Sequence, residues 1–313
     1  MSDTIIFTLF EGFHEYGVGS LINSAIKCGF KGKVVIGYRG PLPFWINQLD
    51  NFSNSYYLKT EKEKIEIIFK KIEGKNHLRY YKPSMFESLF HEFPKSKVFY
   101  FDPDITLIGD WWYFEQWVDY GVACILDENY PLMPSSHPIK QKWAELLDYS
   151  IDSNNPFNYY INSGFLGCQI RDLNLIQEWN NHILTLQEKG GNLLNFNPVF
   201  EKTSTFKRLN SFMGDQDILN ATINKNNLGY KLSIIGPEGM GFIPAGYLMY
   251  HNTGKKTWNK NVLKEFLLYG NRISQADQSF LENSSYPINL YSRTKLLKLK
   301  LTFLITKIIQ RVL

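Results

Sequence analysis

The chain has 313 residues, 44% of them apolar and 16% aromatic, and carries a formal net charge of +4. That length and apolar content suffice for one large α/β domain with a full core plus an appendage. Arg293, Lys295, Lys298, Lys300, Lys307 and Arg311 fall in a terminal stretch without a single acid, so the remainder is slightly acidic and does not read as a nucleic-acid binder.

The chain opens on Met1-Ser2-Asp3-Thr4, with no basic region or small-residue cleavage site, and predicts no signal peptide. Ile5–Leu9 and Lys33–Tyr38 read as parallel-type strands around a helix over Tyr16–Gly29, the βαβ opening of a nucleotide-binding sheet. The loop after the first strand is then the expected place for a nucleotide base, with Thr8, Phe10, Glu11 and Tyr16 as candidates. In so aromatic a chain, Phe10 and Tyr16 read equally well as packing residues. Ile65, Ile68, Phe69 and Ile72 follow the i, i+3, i+4, i+7 rule within a charge-rich segment and predict an amphipathic surface helix. A second helix is expected over Pro83–Phe93, with Pro83 in its first turn.

The apolar run Val98–Phe101 leads into Asp102-Pro103-Asp104-Ile105. If this segment is extended, Asp102 and Asp104 point to one face and can share a hard, oxygen-ligated divalent cation and the diphosphate it would carry. With thirteen aspartates in the chain, such a pair is weak on its own. Its place at the end of a buried strand, before the helix start at Gly109-Asp110-Trp111, strengthens it. Val122–Leu126 is a further buried strand ending at Asp127-Glu128, and Tyr159–Ile170 mixes strand residues with Asn162-Ser163-Gly164, where glycine permits close backbone approach. Residues 190–198, rich in Gly and Asn, read as a loop. Cys28, Cys124 and Cys168 are too widely spaced for a zinc site and uneven for a disulfide framework, which fits a reducing, cytoplasmic setting. No apolar run is long enough to span a bilayer.

Taken in order, Phe-Asp-Pro-Asp at 101–104, Ile-Asn-Ser-Gly at 161–164, Gly-Asp-Gln-Asp-Ile-Leu-Asn at 214–220 and His-Asn-Thr-Gly-Lys-Lys-Thr-Trp at 251–258 resemble the metal-dependent glycosyltransferases of the GT-A fold. The likeness is to glycosyltransferase family 8, which contains glycogenins and bacterial lipopolysaccharide galactosyl- and glucosyltransferases. The ordered set, spanning roughly residues 3–260, is more specific than any single element. The resemblance implies a Rossmann-like mixed sheet flanked by helices (residues 1–260), followed by a small helical C-terminal extension (261–313). It also implies that Asp102, Asp104 and His251 ligate Mn2+ or Mg2+ on the donor diphosphate. A divalent ion there neutralises charge on the departing oxygen as a Lewis acid.

The resemblance assigns further residues. Asn162 either hydrogen-bonds the donor sugar or sits in a plain turn. Asp215 either contacts the donor sugar or caps the helix that follows, and Gln216 lies near the anomeric carbon. Asp127 matches another sugar-contacting position, and Lys82 a basic residue before the metal strand, at a spacing unlike the family's. The terminal motif also departs from the pattern, because Lys255, Lys256 and Trp258 follow Gly254 with one residue fewer and no proline. Either lysine is therefore open as the phosphate ligand.

The expected activity is hexose transfer from a nucleotide-diphosphate sugar, a UDP-sugar first, to a glycan or glycolipid, with retention. Inverting transfer with Glu128 or Asp215 as base, and a non-catalytic nucleotide-sugar-binding protein, are the alternatives. A nucleotidyltransferase would require a Gly-rich basic loop where Glu11-Gly12-Phe13-His14 stands. Placed on a helix, Leu297, Leu301, Leu304, Ile308 and Val312 form one stripe edged by Lys300, Lys307 and Arg311, which predicts a segment lying on the anionic, cytoplasmic surface of a membrane. Packing on the catalytic domain or on a dimer partner is the other reading of this helix.

Overall fold

In a computed structural model, residues 3–52, 55–61, 63–152, 154, 156–194, 199–200, 214–226 and 229–312 are described. The chain starts as expected, with strand β1 (Thr4–Glu11), helix α1 (Glu15–Lys27) and strand β2 (Lys33–Arg39). Seven of the eight β1 residues are buried, as a strand covered on both faces requires.

Strands β3 (Asp50–Phe52), β4 (Ser55–Lys59) and β5 (Lys64–Lys71) follow. The helix expected over the charge-rich segment is therefore wrong. β5 pairs with β2 in parallel and with β4 in antiparallel register, and it buries Ile65 and Ile67 completely. A strand inside a sheet can hold apolar residues on both faces, and here their spacing mimics a helical stripe.

Helix α2 (Lys82–Glu92) starts with Pro83 in its first turn and delivers β6 (Lys97–Phe101). Then come β7 (Ile105–Leu107), α3 (Trp111–Trp117), β8 (Val122–Leu126), α4 (Pro138–Leu146), β9 (Ile161–Cys168) and α5 (Leu173–Glu188). In the 190–198 stretch, β10 (Gly191–Asn192) pairs with β11 (Val199–Phe200), so the expected loop is in part a short ribbon; residues 195–198 lie outside those described. Helix α6 (Asp215–Lys225), β12 (Leu232–Ile235), β13 (Met249–His251), α7 (Val262–Tyr269), α8 (Gln275–Glu282) and α9 (Arg293–Val312) complete the chain.

Nine strands form one sheet in the order β12-β8-β9-β6-β1-β2-β5-β4-β3. β1 is parallel to β2 and β6, whereas β9 runs antiparallel between β6 and β8. That reversal brings the start of β9, with Asn162 and Ser163, to the same sheet edge as the end of β6, where Asp102 follows. One face of the sheet is covered by an apolar core that includes Phe86, Trp143, Trp179 and Ile218, from α2, α4, α5 and α6. The opposite core includes Val18, Trp111, Phe114 and Phe280, from α1, α3 and α8. The side-chain amide of Asn23 donates to the carbonyls of Asn283 and Ile288, both at 2.8 Å, and accepts from Ile288 N–H at 2.8 Å, tying the segment after α8 to α1.

A separate two-stranded ribbon pairs β13 with β7, setting His251 opposite Ile105. The last helix packs through Phe303, Leu296 and Leu299 on Val262, Ile273 and Leu281. Among the described residues, no helix is long and apolar enough to cross a membrane.

Candidate active site

β6 ends at Phe101, and Asp102 to Asp104 form a turn rather than a continuing strand, with the Ile105 N–H donating to the Asp102 carbonyl at 3.1 Å. The turn is anchored by the Asp102 N–H on the Gly164 carbonyl, at 2.8 Å, and by the Asn252 N–H on the Asp104 carbonyl, at 3.0 Å. Both carboxylates thus reach one point by a tight reversal, not by the alternation of an extended segment.

His251, brought in by the β7–β13 ribbon, places Nε2 3.3 Å from Asp104 and 3.8 Å from Asp102. One ligand atom from each of the three residues lies within 4.8 Å of the others. Gly164 forms the wall beside them, where an added Cβ would stand 2.8 Å from His251 Cε1 and 3.0 Å from an Asp102 oxygen. Two carboxylates, one imidazole and this side-chain-free space suit a divalent cation such as Mn2+ or Mg2+. Burial opposes charge on Asp104, but His251 and Lys256 beside it hold it well below the usual carboxylate range. The same contacts, outweighing burial, raise His251 above its usual range. A cation bound there would compete with a proton for that imidazole.

Lys82 is 1% exposed and sits behind the aspartates. Its ammonium lies 2.7 Å from Asp215 and 3.3 Å from Asp102 and donates to the Ser163 carbonyl at 2.9 Å. Asp215 is fully buried and is also 2.7 Å from Arg79. Burial would lift this carboxyl, but the two cations hold it down. Asp215 is the first helical residue of α6, and the N-cap is Gly214 at φ +100°, so the capping role considered for Asp215 does not apply.

Gln216 follows, its amide fixed at both ends. The Ser163 N–H donates to its oxygen at 3.1 Å, and its nitrogen donates to Asp127 at 3.1 Å. Asn162 donates to the same Asp127 oxygen at 2.9 Å and accepts from Gly164 N–H at 2.8 Å. Asp127, Asn162 and Gln216 therefore form one hydrogen-bonded group at the sheet edge.

A cleft of about 430 Å³ runs over this group; its walls include Phe10, Arg79, Lys82, Gln216, Gly254 and Lys256. Phe10 is 2% exposed and stacks on Tyr38, so it is core as well as wall. Thr8 is fully buried and does not line the cleft, and its hydroxyl has no hydrogen-bond partner among the described residues. Tyr16 is turned aside, packed on Phe44 and Tyr291. The two lysines also separate. Lys256 faces the cleft and pairs with Asp104, whereas Lys255 pairs with Glu265 at 2.6 Å. Lys255 lines an adjoining cavity of about 550 Å³ that shares His251 and Thr253 with the cleft. Glu128 lines this second cavity, and burial together with Asp127 raises its carboxyl pKa.

Arg79 and Tyr100, whose hydroxyl donates to Asp102, were not singled out from sequence. A signal existed for the arginine. Arg79 and Lys82 stand together at the start of a helix, where cations are disfavoured unless anions face them.

No protein-family model matches the chain, and no curated protein matches it. Solved structures do. The apo structure of the bifunctional glycosyltransferase WbbM aligns over 95% of this chain and 51% of its own, with a TM-score of 0.56 at 15% identity. The galactosyltransferase LgtC, in complex with donor and acceptor sugar analogs, aligns over 93% of this chain and 98% of its own, with a TM-score of 0.51 at 14% identity. The chain has the GT-A fold. The glycosyltransferase GlyE of Streptococcus pneumoniae TIGR4 aligns over 94% of this chain at 13% identity, with a TM-score of 0.50. This chain spans about half of the WbbM chain and 63% of the GlyE chain. The mixed α/β sheet expected from sequence is thus borne out as a GT-A sheet, with β9 as its reversed strand.

Proposed function

We propose that the chain is a metal-dependent glycosyltransferase that moves a hexose from a nucleotide-diphosphate sugar, a UDP-sugar first, to a hydroxyl of a glycan or glycolipid. The observation that carries this reading is the convergence of Asp102, Asp104 and His251 within 4.8 Å, at a cleft that also presents Lys256 and Gln216. Residues 1–260 form the catalytic part in this reading, and 261–313 an extension.

When bound, the cation supplies Lewis-acid neutralisation of the donor diphosphate. Lys256, now paired with Asp104, is placed to give its charge to phosphate once a cation takes that carboxylate. Gln216, locked by Asp127 and Ser163, presents a neutral amide, which is a poor nucleophile. Asp215 is sealed between Arg79 and Lys82, and Asp127 is occupied by two amides.

With no free carboxylate beside Gln216 among these residues, retention by same-face attack fits better than a covalent intermediate. The anomeric C–O bond breaks, and its electron pair leaves with the diphosphate. The acceptor oxygen bonds on the same face and gives its proton to a departing phosphate oxygen. Gln216 supports the positive charge that develops at the sugar. Inverting transfer is the second reading, favoured by Glu128, whose raised pKa suits a general base in the adjoining cavity.

The last helix belongs to this reading as an attachment to the anionic, cytoplasmic face of a membrane. Its outward residues Leu297, Leu301, Leu304, Ile308 and Val312 are 53–80% exposed, and each flanking cation near an anionic surface contributes about 1 kcal/mol.

The test is a panel of radiolabelled UDP- and GDP-hexoses with Mn2+, assayed with and without chelator, with the product's anomeric configuration read by NMR. Asp102→Asn and Asp104→Asn should abolish transfer while retaining a cooperative melt. Full activity of both variants in metal-limited buffer would remove the assignment.

A further inference from the structure

The exposed end of α7 carries a feature that the proposed function leaves unused. Helix α7 buries only Val262, while its last three residues, Leu267, Leu268 and Tyr269, are 61%, 59% and 68% exposed. Successive residues on a helix point about 100° apart, so these three spread apolar surface over roughly 200° of the helix end, on the sides left open by its packing through Val262. The chain then turns at Gly270, at φ +70°. Two leucines and a tyrosine on an exposed helix end match the composition of segments that enter the lipid–water boundary, where tyrosine's polar end stays hydrated.

The tip is fixed relative to α9. The two helices pack side by side, and Val262, Leu281 and Phe303 form their shared apolar seat. We infer that Leu267, Leu268 and Tyr269 form a second lipid-inserting element beside α9, which orients the enzyme so that its adjoining cavity takes a saccharide carried on a membrane lipid. This rests on the membrane attachment proposed above.

Charge selects an anionic bilayer over a second copy of the chain as the occupant. The flanks of α9 are basic without an acid from 293 to 313, and Arg272 follows the tip, so two copies meeting here would oppose like charges. Val262 and Glu265 of α7 line the cavity next to His251. Since α7 has eight residues, it is about 12 Å long, and anchoring its tip holds the cavity wall within that distance of the headgroups.

The experiment uses the full chain with Cys28→Ser, because Cys124 and Cys168 are fully buried and leave a single introduced thiol for an environment-sensitive dye. Leu268→Cys and Leu301→Cys report on α7 and α9 separately. With phosphatidylglycerol–phosphatidylcholine vesicles, both labels should brighten, shift to the blue and be quenched by lipids brominated on their acyl chains. A variant with Leu267, Leu268 and Tyr269 all changed to serine should lose about tenfold or more in vesicle co-sedimentation with an unchanged melting temperature. A response at Leu301 with none at Leu268 overturns the inference and leaves α9 docking intact. Silence at both positions, with no co-sedimentation of the parent chain, overturns the membrane reading itself.

Discussion

The ammonium of Lys82 lies 2.7 Å from the carboxylate of Asp215, with both side chains closed off from solvent. Such a pair is strongly destabilising when one member is removed, since the other is left charged in a low-dielectric site. Lys82→Met should therefore cost about 3–5 kcal/mol in chemical denaturation. The double variant Lys82→Met, Asp215→Asn should recover part of that loss. A single variant within 1 kcal/mol of the parent would show that Arg79 alone satisfies Asp215.

Gln216 is held by partners at both ends of its amide, so its position does not depend on the donor. Gln216→Ala should lower kcat by about 10²–10³ and leave the donor KM near the parent value, as for loss of a group that acts on the transition state. Steady-state kinetics at saturating acceptor decide it. A raised KM with unchanged kcat would reduce Gln216 to a binding residue.

Gly164 leaves open the space beside Asp102 and His251. Gly164→Ala places a methyl 2.8 Å from His251 Cε1 and should weaken Mn2+ binding about tenfold or more, as measured by calorimetry on the purified chain. Unchanged affinity would place the cation elsewhere.

His182 provides the pH test. It is 4% exposed; its Nδ1 meets Thr222 Oγ1 at 2.8 Å, and that hydroxyl donates onward to the Ile218 carbonyl, also at 2.8 Å. The imidazole is therefore the donor at Nδ1, and Lys225 lies at its other nitrogen. Burial, then Lys225, lowers its pKa to about 4. Between that value and the ordinary 6.5, the unfolded chain binds the proton and the folded chain does not, so stability falls as pH drops through this window. The full loss amounts to about 3 kcal/mol. His182→Asn should shrink the difference in melting temperature between pH 7 and pH 4.5; an undiminished difference would assign the acid sensitivity to other groups.

How much the sequence revealed depended on how many physical solutions a pattern allows. Val122–Leu126 was legible to the residue because a short apolar run bounded by Gly121 and Asp127 has few other uses. Lys64–Lys71 was misread because a strand with apolar residues on both faces and a one-sided helix can share the same spacing. Asp102, Asp104 and His251 were named together only by family resemblance. The order of motifs could not show that a turn, rather than an extended segment, aims the two carboxylates. Arg79 escaped because its partner Asp215 is distant in sequence and is brought in by α6; Tyr100 stands only two residues before its partner Asp102 and escaped because it reads as one more residue of the apolar strand. The separate directions of Lys255 and Lys256 depend on Glu265 and Asp104, distant in sequence from one another.

The pairing of His251 with Ile105 also bears on when the protein becomes competent during synthesis. Everything that surrounds Asp102 and Asp104 from the amino-terminal side can be made and packed while His251 is still inside the ribosome. The β7–β13 ribbon is a contact of very long sequence separation, the kind that closes late. A nascent chain released before the ribbon forms would present two aspartates and Lys82 but not the proposed cation site in full. Gain of Mn2+ affinity along a series of stalled chains of increasing length would thus time the docking of the final quarter of the molecule.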